Sequence, residues 1–296
     1  MSTKTSNYDG GFAHGLTVRN IPVLDVHSGN VYWVDSNGGN DQGKGTFTRP
    51  FATVDAAIGR CVTDNGDIIY VKAGHAETIT TGITADIAGI SIIGLGNGKN
   101  RPALTINAAI DGINVTGANI TIKNLYFPAS TLTGVTARIN VGAANCMISD
   151  CLFLCGEHDA ETITIAAAGD DLSVIDCEFV VTDNGPDAGI EIEAAGVDGL
   201  KVIGCYFNGG SDTNGWDVGG INSGAAHTNC LIKDNVFLFG PGVIFSAAAL
   251  GIIADNRFGE GTLGSMLDPG SCMCFENYEA DAVDESARLF PTGAAS

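Results

Sequence analysis

Hydrophobic and polar positions alternate along most of the chain, and the alternation is punctuated at near-regular intervals. Six segments align on one phenylalanine each: Ile120-Thr-Ile-Lys-Asn-Leu-Tyr-Phe127, Cys146-Met-Ile-Ser-Asp-Cys-Leu-Phe153, Leu172-Ser-Val-Ile-Asp-Cys-Glu-Phe179, Leu200-Lys-Val-Ile-Gly-Cys-Tyr-Phe207, Cys230-Leu-Ile-Lys-Asp-Asn-Val-Phe237 and Gly251-Ile-Ile-Ala-Asp-Asn-Arg-Phe258. The phenylalanines are 26, 26, 28, 30 and 21 residues apart, and Ile90-Ser-Ile-Ile-Gly-Leu fits the same template without one. Positions one and three are mostly Ile, Val, Leu or Cys, the period of two that marks a strand. Position five is Asn124, Asp150, Asp176, Gly204, Asp234 or Asp255. These residue types tolerate a left-handed backbone, which predicts a sharp turn between two strands. A further strand precedes each unit, with Ile113, Ile139 and Ile165 each seven residues before the unit start. Three short strands per repeat predict an all-β fold, a right-handed parallel β-helix or solenoid. Eight or nine rungs at about 4.8 Å would make it roughly 40 Å long.

The first third reads differently. Val31-Tyr-Trp-Val-Asp35 and Asp67-Ile-Ile-Tyr-Val-Lys72 predict strands, and Ser36 to Arg49 between them is a polar, Gly-rich loop. In Phe51 to Cys61, the residues Val54, Ala57, Ile58 and Cys61 fall on one helical stripe, with Thr53 as N-cap and Asp55 in the first turn. A helix over about 52–61 is therefore expected to cap the amino-terminal end, because an open β-helix end exposes unpaired backbone. The domain reading is an arm over 1–30, a β-helix over 31–280 and a tail over 281–296.

A hydrophobic fraction of 45% argues against a disordered chain. No apolar run approaches the roughly 20 residues of a membrane span. The first nine residues, Met-Ser-Thr-Lys-Thr-Ser-Asn-Tyr-Asp, lack the apolar stretch of a signal peptide. Nine cysteines, an odd number spread through the chain, argue against a disulfide framework and for folding in a reducing cytosol. The net charge of -20 excludes nucleic acid and anionic membrane as natural partners. That charge is uneven: residues 1–103 carry eight Lys and Arg against nine Asp and Glu, and the remainder six against 25.

Several groups invite a chemical reading. Asp150 and Asp176 fall on adjacent rungs, as a retaining glycosidase pair would need, but Gly204 at the same position favours a turn over catalysis. Cys146, Cys151, Cys155, Cys272 and Cys274 suggest zinc, yet Cys151, Cys177 and Cys205 keep the phase of the Phe ladder, as small buried hydrophobes do. Asn235 and Asn256 continue that column. Glu157-His-Asp-Ala-Glu161 is an acid/base cluster on a loop, read as solvated, and the other histidines have no Ser or Cys partner at triad spacing. The longest inserted loop, Asn208 to Asp217, offers Trp216 as a sugar platform with Asp212 and Asp217 as acids. No second tryptophan stands beside it, and the outer faces place Thr164 by Glu191 without an exposed carboxylate pair. The expectation is no catalytic residue, no metal and no cofactor, with Asp212, Asp217 and Trp216 as the catalytic alternative. Asn114 and Asn119 match glycosylation sequons but fall on the rungs.

Val31-Tyr-Trp-Val-Asp-Ser, Pro50-Phe-Ala-Thr-Val-Asp-Ala-Ala-Ile and Gly66-Asp-Ile-Ile-Tyr-Val-Lys-Ala-Gly-His resemble the opening of pectin-lyase-like right-handed β-helices. Gly15-Leu-Thr-Val-Arg-Asn-Ile-Pro-Val-Leu, Gly74-His-Ala-Glu-Thr-Ile and Ile93-Gly-Leu-Gly resemble a narrower set of tailed-phage virion proteins. That second resemblance implies a non-enzymatic structural protein of a phage particle, made in the host cytoplasm and resident in the virion. It further implies a head decoration or cement protein, a homotrimer, with the major capsid protein or another virion protein as partner. The fold is shared by polysaccharide lyases and hydrolases, so a tailspike-like depolymerase or a glycan-binding adhesin is the alternative.

Overall fold

The computed structural model describes residues 29–130, 132–156, 159–182, 185–210, 215–246, 248–259 and 266–279, with the backbone alone at 16–18, 21–23, 159 and 279. Its strands form three long parallel sheets of 10, 9 and 8 strands. Each sheet takes every third strand, so the chain winds through the sheets in turn and returns one rung further along. The first sheet runs from Val31–Val34 to Met273–Phe275, the second from Ala76–Ile79 to Tyr278–Glu279, and the third from Ile83–Ala85 to Leu267–Asp268. This is the right-handed parallel β-helix that the alternation predicts. Winding one strand into the next leaves free edges only at the two ends of each sheet.

Register is set by the inward side chains. Phe127 pairs with Phe153, Phe153 with Phe179, Phe179 with Phe207, Phe207 with Phe237, and Phe237 with Phe258. Their rings stack face to face, with centroids 4.6–5.0 Å apart and planes within 14°. Isolated aromatic pairs prefer offset or edge-on contact. Here the strand spacing of about 4.8 Å dictates parallel stacking. A slip of one residue would turn the whole ladder outward, so this column locks the register of the second sheet.

The turns obey the same repetition. Asn124, Asp150, Asp176, Gly204, Asp234 and Asp255 all take positive φ, between 51° and 68°. Gly204 departs from Asp and Asn for a local reason: a Cβ there would lie 2.4 Å from a carboxylate oxygen of Asp176. Glu276, at φ 47°, opens one more rung of the same kind, Met273-Cys-Phe-Glu-Asn-Tyr-Glu279, which lacks the phenylalanine and escapes the sequence template. The third sheet corrects the spacing argument by two residues. Ile139 pairs with Ile113 and Ile163, while Ile165 stands beside Val141. The turn after Ile165 is two residues longer than the one after Val141 and absorbs the difference.

Between the strands Val31–Val34 and Ile68–Val71 lies a helix of Val54–Ile58, shorter than the 52–61 expected. Thr53 Oγ1 accepts from Ala56 N, and Asp41 and Glu77 accept from Ala52, Thr53 and Val54. Val54, Ala57 and Ile58 are buried and join the core. In the arm, Leu16–Val18 pairs antiparallel with Ile21–Val23. The tail over 281–296 lies outside the described residues.

Candidate functional site

The strongest chemical feature is an acidic patch on the outer face of the third sheet, near the middle of the stack. It arises where the strand alternation breaks. Ala137, Arg138 and Ile139 are all buried, as are Thr162 and Ile163 on the next rung. Arg138 turns inward, its guanidinium donating to the carbonyls of Pro128 and Leu154. The kink leaves Glu161 half-buried among carboxylates from neighbouring rungs. Burial first, and then the charges of Glu193, Asp187, Glu191 and Asp111, push Glu161 up to about 7. Glu191 is raised too, by burial and by Glu193 and Asp187, against the opposing hydrogen bond from Asn222 Nδ2 at 2.6 Å. Asp111 is held in place by Asn140 Nδ2 at 2.9 Å and by the Thr136 hydroxyl.

Strand pairing alone sets Thr164 beside Glu191, as expected. Glu161 comes near these acids from a strand whose alternation is broken. A lone acidic residue after an inserted loop gives no sequence signal of that break. One carboxyl protonated near neutrality beside ionised ones is the arrangement of a general acid and its partner.

The sugar site drawn from sequence does not assemble. Trp216 is 4% exposed and sits edge-on to Phe207, with centroids 6.5 Å apart, so it belongs to the core and offers no platform. Asp217 is exposed. Asp212 lies outside the described residues, as do Glu157 and His158. The aspartate ladder is a line of turns carrying surface ion pairs, Lys123 with Asp150 at 3.1 Å and Lys233 with Asp234 and Asp255 at 3.1 and 3.4 Å. Such exposed pairs contribute little.

A second surface feature was not read from sequence. Trp33 and Tyr70 stand on adjacent rungs of the first sheet, centroids 5.1 Å apart, and Phe47 from the Gly-rich loop packs edge-on against Trp33 at 4.9 Å. Phe47 remains 59% exposed under the Lys72 ammonium. The tryptophan missing beside Trp216 thus has its aromatic neighbours at the other end of the molecule.

Seven of the nine cysteines are buried. The column Cys151, Cys177, Cys205 lies inside, as its phase predicts. His75 and His227 are both buried. His75 Nδ1 accepts from the Ser36 backbone N–H, and His227 Nδ1 is 3.1 Å from Ser223 Oγ. Hydrogen bonding from Cys272, opposed by burial and helped by His227, lowers the Cys230 thiol to about 6. Among the described residues, no three His, Cys, Asp and Glu side chains already converge to hold a metal ion.

No protein-family model matches the sequence, and neither does any curated protein. Solved structures do match in shape. Pectate lyase Pel9A aligns over 92% of this chain and 82% of its own, at 14% identity and a TM-score of 0.55. The fold is that of the pectin-lyase-like β-helices. The GH136 lacto-N-biosidase from Eubacterium ramulus aligns over 84% of this chain and 67% of its own, at 13% identity and a TM-score of 0.50. ORF18 of Geobacillus virus E2 aligns over 84% and 60%, at 12% identity and a TM-score of 0.43, too loose a likeness to carry an argument. At these identities the matches establish architecture and leave chemistry to the residues.

Proposed function

We propose that the chain is a structural protein of a tailed-phage particle, a stiff projection that decorates the head, working as a homotrimer. The reading rests on the sequence resemblance of residues 15–103 to virion proteins. The observation that carries it is the polarity of the rod. The amino-terminal rungs are near neutral and carry the cluster of Trp33, Tyr70 and the exposed Phe47, while the chain beyond residue 103 carries nearly all the negative charge. A rod of this kind attaches by its near-neutral end to the capsid lattice and projects its acidic length, which repels neighbouring particles. Because the docking end lacks net charge, attachment survives several hundred millimolar salt. The test adds the purified protein to particles stripped of it. Binding at full occupancy by a chain lacking residues 1–28 refutes the arm as the attachment element, and release of the intact protein at modest salt refutes an apolar interface.

A second reading, glycan cleavage, draws on the acidic patch around Glu161 and on the fold shared with pectate lyase. It replaces Asp212 and Asp217 with Glu161 and Glu191 as the acids. Incubation with capsular and pectic polysaccharides decides it. New reducing ends or unsaturated products, lost in Glu161→Gln, would displace the structural reading.

A further inference from the structure

The carboxyl-terminal rungs contain a thiol pair that neither function uses. Cys230, Gly251 and Cys272 stand in one column on three successive rungs of the first sheet, since Cys230 pairs with Gly251 and Ile252 pairs with Met273. Gly251 leaves the middle place empty, because a Cβ there would lie 2.4 Å from the Cys230 sulfur. Through that gap the Cys230 and Cys272 sulfurs approach to 3.7 Å, at 2% and 8% exposure. Beside Cys230 stands His227, 1% exposed. Its Nδ1 faces Ser223 Oγ at 3.1 Å and the Ala225 carbonyl at 3.3 Å. The serine hydroxyl donates to that same carbonyl at 2.8 Å, so Nδ1 carries the ring proton and Nε2 keeps its lone pair. Nε2 is buried without a hydrogen-bond partner.

Two explanations of the pair differ in reach. Closing a disulfide would bring the sulfurs from 3.7 Å to about 2.05 Å, drawing together segments that stand two rungs apart. An ion between them needs no such movement. Two sulfurs 3.7 Å apart, each at the usual 2.3 Å from a common zinc-like ion, subtend about 107°, close to tetrahedral. An imidazole whose Nδ1–H is tied to backbone and whose Nε2 is bare is the form in which histidine binds metal.

We propose that Cys230 and Cys272 bind a thiophilic cation such as Zn²⁺ between them, with His227 Nε2 closing in as third ligand. The closing step is required because the three groups do not yet converge on one point. Binding displaces the two thiol protons to solvent and leaves two thiolates on the ion. The ion would tie the last described rung to the one two turns earlier.

Cd²⁺ is the probe, because thiolate coordination gives it a charge-transfer band in the ultraviolet. Titrating the reduced, chelator-treated full chain is expected to give one equivalent of bound Cd²⁺ with that band, displaced by Zn²⁺, and a Zn²⁺-dependent rise in melting temperature reversed by chelator. Cys272→Ser, on the terminal rung where a lost contact is best tolerated, should abolish the band. Cys146→Ser should change nothing. No band in the intact protein, or an undiminished band in folded Cys272→Ser, overturns the site. A band lost with Cys146→Ser but kept in Cys272→Ser places the ion elsewhere and overturns it equally.

Discussion

The backbone N–H of Cys205 donates to Asn235 Oδ1 at 2.8 Å, one rung further along. At this point a column of thiols hands over to a column of amides. Cys177 and Cys205 each donate to a carbonyl of the preceding rung, Ile148 and Val174. Asn235, Asn256 and Asn277 do the same to Val202, Ile232 and Ile253, with Nδ2 at 2.9 Å each time. The asparagines add an acceptor for the backbone N–H of the preceding rung. Asn235→Ala should leave the Cys205 N–H and the Val202 carbonyl unsatisfied in the core, costing about 2–4 kcal/mol in denaturant unfolding. Asn235→Cys should cost less, because a thiol still reaches the Val202 carbonyl. Equal stability of the alanine variant and the parent would show that the ladder contributes nothing.

Phe179→Ala, in the middle of the stack, should cost about 3–5 kcal/mol, the range for deleting a buried aromatic ring. Its neighbours Phe153 and Phe207 are held by their own strands and cannot collapse into the space. Cys177→Ser should cost less, since the hydroxyl inherits the carbonyls of Ile148 and Ile175 as acceptors. Thermal melts of the two variants check the order. A serine variant melting below the alanine variant would mean that the inward stack is held by sulfur contact rather than by the rings.

What could be read in advance is what repeats. Phenylalanine, cysteine and the left-handed turn residue recur at one phase, so the sheets and the inward column followed from spacing, whereas the third sheet's register departed from it by two residues. The rung at Glu276 escaped because it carries none of the three marker types at the expected places except Asn277. The acidic patch escaped for a different reason. It depends on Arg138 and Thr162 breaking the alternation, and one buried arginine in one rung has no periodicity to betray it. Trp216 misled because an inserted loop with an aromatic reads as surface, whereas this ring fills space beside Phe207.

Asp67 is fully buried and accepts hydrogen bonds from the backbone of Asn30 and Val62 and from the side chains of Asn30 and Asn65, at 2.6–3.0 Å. Burial works against its charge, but these donors outweigh it and hold the carboxyl below its usual range. A group whose folded pKa is depressed stabilises above the unfolded value of about 4 and loses that contribution as pH falls further. Asp67→Asn should therefore lower the melting temperature at pH 7 and flatten its fall below pH 4. Parallel pH profiles for the two proteins would remove Asp67 from the account.

Glu161 should act with the opposite sign. Its carboxyl is raised to about 7, so the folded state binds a proton that the unfolded chain releases near pH 4.5. Stability from this group is fully present below the unfolded value and is lost as pH rises from about 4.5 through 7. The carboxyl is half-buried, so solvent screening limits the effect to about 1 kcal/mol or less. Glu161→Gln keeps the shape and removes the charge that Glu191, Glu193, Asp187 and Asp111 repel. It should match the parent at pH 5 and melt higher at pH 8, and the gain should shrink in high salt, which weakens the repulsion. A glutamine variant that loses stability at pH 8 would mean that the ionised carboxylate is bonded rather than crowded, and the acidic patch would lose its claim to hold a proton at neutrality.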